Sequence, residues 1–500
     1  MNAIIINTKE VLESNLLGLG VEWDPSDIFD YAPEQWQLFV DRIAYMKPSV
    51  VRCMSSASAY CTKVNGGEFA YDWDSRMMKR LYRLLDVCEK YGVKVVIGEW
   101  WCPGSSLRGP GSDAVEMDDP RWGVMITDFL EELINNRRYT CIRYYNCVNE
   151  PNSRYADPFD GVWGAAIKNL RAEMDARGFA DIAIMGPDPY ANWDSWIDYS
   201  VGNVDNCLGE YEVHWYATRD LIRHGLVEKR MRALREKIGR AAPGKRFFFG
   251  EMGCLTGRNL PGDQQMELPM YWYGVAMADM LAQSFNAGMA GAIAWSFEDS
   301  MHLQKSNGGK DFLPCGDDHK DYSIKVWGFW NAVVKAFIDP QGGHGAEPEK
   351  TGYWLGLNPW EDMTALRPWY SAWAPLTRAF REGAATVKTN VPEECGLRCA
   401  AAIMESGRAP GKHEISFFIV NHTDNEKTAR LQIADAATEC DLAVYEYFSA
   451  DSLAKDADGF PAASRIEKGV NLSDGFTVKM PAMSVILYTT LDGGSPLRLN

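Results

Sequence analysis

The sequence predicts a (β/α)8 TIM barrel followed by a small all-β sandwich, and three observations carry that reading. Between about residues 15 and 383, eight short apolar runs alternate with segments of helical length. Those runs are apolar nearly throughout rather than cleanly alternating, as strands of a parallel sheet covered on its outer face are. After about residue 384 the helical segments stop, and short strands between turn-rich pieces take over. Five hundred residues exceed what one hydrophobic core organises, so a catalytic-sized barrel at 1–383 and a sandwich at 384–500 are expected.

In chain order, the apolar stretch at residues 3–8 comes first and is open to joining the sandwich as an edge strand. The barrel strands are then read at "LLGLGVEW", "SVVRCM", "VKVVIGEWW", "CIRYYNCVNE", "DIAIMGP", "LGEYEVHWY", "RFFFGEMG" and "GAIAWSFE". Between them, Leu81, Leu84, Leu85 and Cys88 form a helical stripe that ends at Gly92. Trp122, Ile126, Phe129 and Leu133 form another, and Trp163, Ile167, Leu170 and Met174 a third before Gly178. A doubly wound open sheet is the alternative, but it needs a glycine loop leading into a helix after the first strand, and "GLGVEWDPSD" supplies none. The longest insertion, about residues 298–360, follows the eighth strand and is expected over the barrel mouth. "RPWYSAWAPLTRAF" reads as the closing helix, and "HEISFFIVNHT", "ARLQIAD", "CDLAVYEYFS" and "AMSVILYTTL" as sandwich strands.

Composition narrows the function classes. Hydrophobic residues at 46% and charged residues at 24% describe an ordinary globular protein. A net charge of −17 repels phosphate backbones and anionic headgroups, so neither nucleic acid nor a membrane surface is an expected partner. The start "MNAIIINTKEVLESN" lacks the features of a secretory signal, and no window approaches the ~18 apolar residues of a membrane span. A cytoplasmic location is therefore expected. The 12 cysteines show no paired metal-type spacing and read as buried thiols.

In a barrel of this kind the carboxyl end of each strand opens onto the active-site face. The polar and aromatic groups stationed there are Trp23 and Asp24, Arg52, Glu99 with Trp100 and Trp101, Asn149 and Glu150, Asp188, His214 and Tyr216, Glu251, and Trp295. Glu150 and Glu251 stand out because each ends a strongly apolar run, where an unpartnered charge is costly. Two carboxyl groups facing each other across a pocket can cut a glycosidic bond. One protonates the departing oxygen and the other attacks the anomeric carbon, at a separation of about 5–5.5 Å in retaining enzymes. A structural ion pair at the barrel rim is the bland alternative. Glu99 and Glu298 are rival carboxylates, and either tryptophan of the Trp100–Trp101 pair could stack on a sugar face.

"VNEP" ending strand four, "HWY" strand six, "FGEMG" strand seven and "AWSF" strand eight resemble clan A of the glycoside hydrolases, especially family five and its relatives. The resemblance spans residues 15–383 and implies Glu150 as acid/base and Glu251 as nucleophile. It further implies that Arg52 supports the nucleophile's charge and that Asn149 binds the sugar 2-hydroxyl. His214 and Tyr216 match the strand-six pair, with Tyr216 orienting Glu251, and Trp295 matches the aromatic floor of the cleaved subsite. Family five places a histidine near the end of strand three, where this chain has Glu99, Trp100 and Trp101. The attached sandwich is similar to exo-acting members of families thirty, thirty-nine and fifty-one.

The reading is therefore a retaining glycoside hydrolase acting on an oligosaccharide or glycoside, with an exo-acting β-glycosidase as the preferred subtype. An endo-acting β-glycanase and a non-catalytic carbohydrate-binding barrel are the alternatives. A metal-dependent barrel enzyme would need several ligands converging, and His214 is the one histidine among the strand ends. "CGDDH" at 315–319 matches no zinc or calcium loop and reads as a solvated turn. No phosphate loop or nucleotide fingerprint is present, so neither a metal nor an organic cofactor is expected.

Overall fold

The computed structural model describes residues 3–25, 33–104, 107, 109–256, 265, 267–303, 322–325, 327–330, 365–392, 396–449 and 453–500. Alternating burial makes Ala3–Glu13 a strand (β1), with Ile4 and Ile6 fully buried and Ile5 37% exposed. The barrel begins with β2 (Gly18–Glu22) and β3 (Val50–Ser55). A hairpin of β4 (Cys61–Asn65) and β5 (Glu68–Tyr71) is inserted next. Six further strands complete the barrel: β6 (Lys94–Glu99), β7 (Ile142–Asn146), β8 (Ala183–Pro187), β9 (Glu210–Thr218), β10 (Phe247–Leu255) and β11 (Gly291–Ala294). All neighbours pair in parallel, and β10–β11–β2–β3–β6–β7–β8–β9 closes on itself. The eight strands lie where the apolar runs placed them.

Helices cover the barrel: α1 (Pro33–Met46), α2 (Arg76–Tyr91), α3 (Pro120–Leu130), α4 (Val162–Ala176), α5 (Trp193–Asn203), α6 (Arg219–Arg223), α7 (Leu226–Ala241), α8 (Tyr271–Asn286) and α9 (Pro368–Ala379). The three stripes face inward, with Leu81, Leu84, Leu85 and Cys88 of α2 fully buried. Ser75 caps α2 by accepting from the Met78 N–H, and Gly92 ends it at φ 66°, a conformation that glycine adopts freely.

Inside the barrel, residues two apart share a face and sort by height. Val50, Val96, Tyr144, Met185, Phe248 and Ile293 form an apolar plug. One pleat nearer the mouth, charged and amide groups replace them. The β2–β3 register sets Glu22 beside Arg52, and the β9–β10 register sets His214 beside Glu251. Gly250 is the extra residue of a bulge between Phe249 and Glu251, which aims Glu251. A side chain there has no room: a Cβ would lie 2.3 Å from Glu212 Oε2 and 3.1 Å from His214 Nε2.

After β11 the chain forms the hairpin β12 (Ser300–Leu303) and β13 (Tyr322–Lys325) and then returns over the barrel mouth. The Ser296 and Phe329 N–H groups donate to the carbonyls of Trp327 (3.3 Å) and Phe297 (3.1 Å), and Arg367 forms a buried bidentate pair with Asp299. Most of the 298–360 insertion, including "CGDDH", lies outside the described residues.

The remaining strands are β14 (Ala385–Asn390), β15 (Arg398–Glu405), β16 (His413–Asn421), β17 (Lys427–Ile433), β18 (Cys440–Tyr447), β19 (Arg465–Val470), β20 (Phe476–Met480) and β21 (Ser484–Thr489). With β1 they make one curled sheet, ordered β19–β18–β21–β16–β15–β14–β1–β17–β20. Its inner face encloses a core that includes Ile4, Ile6, Phe417, Ile419 and Ile486. Its other face, including Ala400, Phe418, Val420 and Leu487, packs into the core shared with the barrel helices. Residues 3–8 differ from the edge strand anticipated: β1 is interior, antiparallel to β14 and parallel to β17.

Candidate active site

The strand ends meet in a cavity of about 510 Å³ over the barrel mouth. Its walls are Trp100, Asn149, Glu150, Tyr190, Trp193, Trp215, Tyr216, Glu251, Leu255, Trp295 and Trp327. A larger cavity, about 920 Å³, opens between the barrel helices and the curled sheet. There the cations already have acidic partners, as in Arg398–Asp279, Lys388–Glu10 and Arg232–Glu228, and no facing pair of strand-end carboxylates is present. The smaller cavity is therefore the one equipped for chemistry.

Arg52 organises its floor and is fully buried. Its Nη1 donates to Glu22 Oε1 and Oε2 (2.9 and 2.8 Å) and to Glu251 Oε1 (2.7 Å). Its Nη2 donates to Asn149 Oδ1 (2.7 Å) and Asp188 Oδ2 (3.2 Å). A planar guanidinium suits this task because it offers two arms at a fixed angle to several oxygens.

Glu251 is 3% exposed and is held from both sides, by Arg52 on Oε1 and by the Tyr216 hydroxyl on Oε2. Glu150 keeps 23% of its side chain exposed to the cavity and contacts His214 Nδ1 through Oε1 at 2.9 Å. The same Nδ1 lies 3.4 Å from Glu251 Oε2. Carboxylate oxygens of Glu150 and Glu251 come within 4.8 Å of one another. Glu150 has φ 44° and Asp188 φ 67°, both left-handed and uncommon for residues with a Cβ. Asp188 Oδ2 accepts the Glu150 N–H at 2.9 Å, which helps hold that turn.

The charges set the proton positions. Burial raises the Glu251 carboxyl above its ordinary value, and His214 and Arg52, which pull it down against Glu150 and Asp188, offset only part of that rise. Burial also raises Glu22, against the opposing pull of Arg52, and Glu212 rises from 4.5 to about 8 with burial as the leading cause. Asp188 is pushed up by burial, but His214 and Arg52 outweigh this and hold it below its ordinary value. For His214, burial favours the neutral ring, yet Asp188 and Glu251 lift it well above its usual range.

Of the residues singled out in the sequence, Asn149, Glu150, Tyr216, Glu251, Trp295 and Trp100 line the cavity, and Arg52 and His214 lie directly beneath it. Glu99 and Trp101 do not line it. Glu99 sits one residue beyond Gly98 on the opposite face of β6 and points toward the helices. There its Oε1 accepts from Tyr60 (2.7 Å) and Tyr145 (3.4 Å). Trp101 leaves the cavity to stack on Tyr155, with Arg154 over its ring. Asp188, read in the sequence as a strand-end group, lies beneath the cavity against Arg52 and His214. Residues not anticipated as part of the site are Glu22, Asn146, Glu212, Tyr190, Trp193, Trp215, Leu255 and Trp327. Asn146 Nδ2 donates to Glu212 Oε1 at 2.8 Å, below His214. Glu298 is buried outside the cavity lining.

Two trios of possible ligand atoms exist among the described residues, Glu150–His214–Glu251 and Asp188–Glu212–His214. Both pass through His214, whose two nitrogens are already engaged by carboxylates. An ion at either trio would have to displace the hydrogen bond between His214 Nδ1 and Glu150 or the close contact between Nε2 and Asp188.

No family model matches the chain, and no curated protein does. Solved structures do. The catalytic domain of GH30 xylanase C from Talaromyces cellulolyticus superposes with TM-score 0.61 and 11% identity, covering 97% of this chain and 99% of that one. A monomeric β-xylosidase from Caulobacter crescentus gives 0.57 at 13% identity, covering 98% and 99%. The GH39 enzyme from Xanthomonas axonopodis pv. citri gives 0.56 at 14% identity, covering 97% and 96%. At such identities the likeness is one of fold, and it extends over both the barrel and the curled sheet.

Proposed function

We propose that the protein is a retaining glycoside hydrolase in which Glu150 is the acid/base and Glu251 the nucleophile. One observation carries the reading: the two carboxylates approach within 4.8 Å across a cavity. That separation suits direct attack on an anomeric carbon and leaves no space for the intervening water of an inverting enzyme. Glu251, clamped by Arg52 and Tyr216, is positioned as the anion that attacks. Glu150, partly open to the cavity, is positioned to give its proton to the departing oxygen and later to take one from water. Asn149 is fixed by Arg52 so that its amide nitrogen can serve a sugar hydroxyl, and Trp295 and Trp100 offer apolar ring surface to a sugar face. The neighbouring structures carry the names xylanase and β-xylosidase, which supports a glycoside as substrate.

The preferred subtype remains an exo-acting β-glycosidase on short oligosaccharides. The return of the chain after β11 supports it by adding Trp327 to the cavity wall, where a Cβ on Gly253 would lie 2.8 Å from the indole. The test is a screen of aryl glycosides with the wild type and Glu251→Ala, the latter with and without azide. Loss of turnover, restored by azide as a glycosyl azide of inverted anomeric configuration, is the expected result. Unchanged turnover in Glu251→Ala without azide refutes the assignment.

A further inference from the structure

Beneath the two catalytic-type carboxylates, His214 is held between acids on both edges of its ring. Nδ1 meets Glu150 Oε1 at 2.9 Å and Glu251 Oε2 at 3.4 Å, and Nε2 makes a close contact with Asp188 Oδ1. A neutral imidazole carries one N–H and one lone pair. If it donates to Asp188, its Nδ1 lone pair faces carboxylate oxygens, unless Glu150 is protonated toward the ring. That last arrangement points the acid's proton away from the cavity, where a leaving group needs it. A ring with both N–H groups meets all three contacts.

We propose that Asp188 is a positioning residue that keeps His214 doubly protonated, so that one Nδ1–H serves whichever of Glu251 and Glu150 carries the negative charge. The inference rests on the retaining reading above. Before the first step the charge is on Glu251. As Glu251 bonds to the anomeric carbon, the bond to the leaving oxygen breaks and that oxygen takes the Glu150 proton, so the charge moves to Glu150. Water then gives a proton to Glu150 and its oxygen bonds to the anomeric carbon, and the ester electron pair returns to Glu251. His214 keeps both its protons throughout, and its Nδ1 lies beside both ends of this transfer.

The surroundings fit that role. Facing His214 are Asp188 after β8, Glu150 after β7, Glu251 of β10, and Glu212 and Tyr216 of its own strand. Arg52 of β3 lies beyond Asp188, and Glu22 of β2 beyond Arg52. Asp188 and Glu212 both come within 4.8 Å of His214. Asp188 is held ionised by His214 and Arg52, whereas Glu212 is pushed up to about 8 by burial and holds its proton at neutral pH. The trio thus carries one anion against the imidazolium. Gly250 leaves the space that this packing of Glu212 against His214 requires.

The experiment is NMR of the full chain carrying ring-13C histidine, titrated from pH 5 to 9, with the His214 signal identified by its loss in His214→Gln. The chain has 7 histidines, so single-ring resolution is practical. Expected is a wild-type His214 that remains imidazolium above pH 7.5, about one unit past the ordinary histidine value. In Asp188→Asn its titration falls by at least one pH unit. The alkaline limb of kcat/KM for an aryl glycoside moves down with it, and kcat drops about 10–100-fold. A neutral His214 at pH 7 in the wild type, or an unmoved titration in Asp188→Asn, overturns the proposal. If Asp188→Asn does not fold, the wild-type titration decides alone. Failure of the retaining reading shows separately, as wild-type protein that hydrolyses no aryl glycoside while its His214 still titrates readably.

Discussion

Replacing Glu99 by Gln tests the physical account of the barrel wall, because this carboxyl is buried without a cation. Burial raises it from 4.5 to about 8, while the tyrosine hydroxyls of Tyr60 and Tyr145 offset only part of that rise. Between those two pH values the folded protein keeps a proton that the unfolded chain has lost. Stability therefore falls as pH rises through the interval and levels off above about 8. An interval of about 3.5 pH units at about 1.4 kcal/mol each sets a ceiling of about 5 kcal/mol. Relaxation and water entry around a buried charge bring the expected value to about 2–4 kcal/mol. Gln keeps an oxygen for both tyrosines and has no proton to lose. Urea unfolding of wild type and Glu99→Gln, followed by tryptophan fluorescence between pH 5 and 8.5, reads the difference directly. The variant should gain about 2–4 kcal/mol on the wild type across that range. A difference constant to within about 0.5 kcal/mol would refute the burial argument.

Three further outcomes follow from the geometry of the cavity. Tyr216→Phe removes a hydroxyl donor from Glu251 and should lower kcat about 10–100-fold with little change in KM, measured by steady-state kinetics on an aryl glycoside. Gly250→Ala places a methyl group 2.3 Å from Glu212 Oε2, so a loss of about 1–3 kcal/mol in unfolding free energy is expected by denaturant titration. Trp295→Ala should reduce kcat/KM at least about tenfold, whereas Trp101→Ala, outside the cavity, should change it less than about threefold in the same assay.

How much of this was legible in the sequence depends on which physical signal each residue carries. The barrel strands show because parallel strands buried on both faces are apolar runs, and helix stripes punctuate them. Arg52, Glu150, His214 and Glu251 show because each interrupts or ends such a run. Glu99 misled because it was read by its place at the strand end and not by the alternation along it. Val96 and Gly98 face the interior, so Glu99 cannot. The same alternation, applied to "EYEVHWY", puts Glu210, Glu212, His214 and Tyr216 on one face and would have found Glu212. Asp188 was visible as a strand-end acid, but its function depends on a left-handed turn and on His214 coming from another strand. Tyr190 and Trp327 lie in connecting segments and Trp193 begins α5; tertiary contacts set their places, and no local pattern marks them. The interior place of β1 was hidden for a related reason: its partners β14 and β17 lie more than 370 residues away in sequence.

The stereochemistry of the first-formed sugar tests the central claim most directly, because carboxylate spacing dictates it. Proton NMR of a cleaved aryl glycoside, recorded before mutarotation proceeds, should show the anomer of the same configuration as the substrate, as a pair of carboxylates within 4.8 Å requires. Release of the opposite anomer would mean that a water stands between Glu150 and its partner, and the assignment of Glu251 as nucleophile would fall.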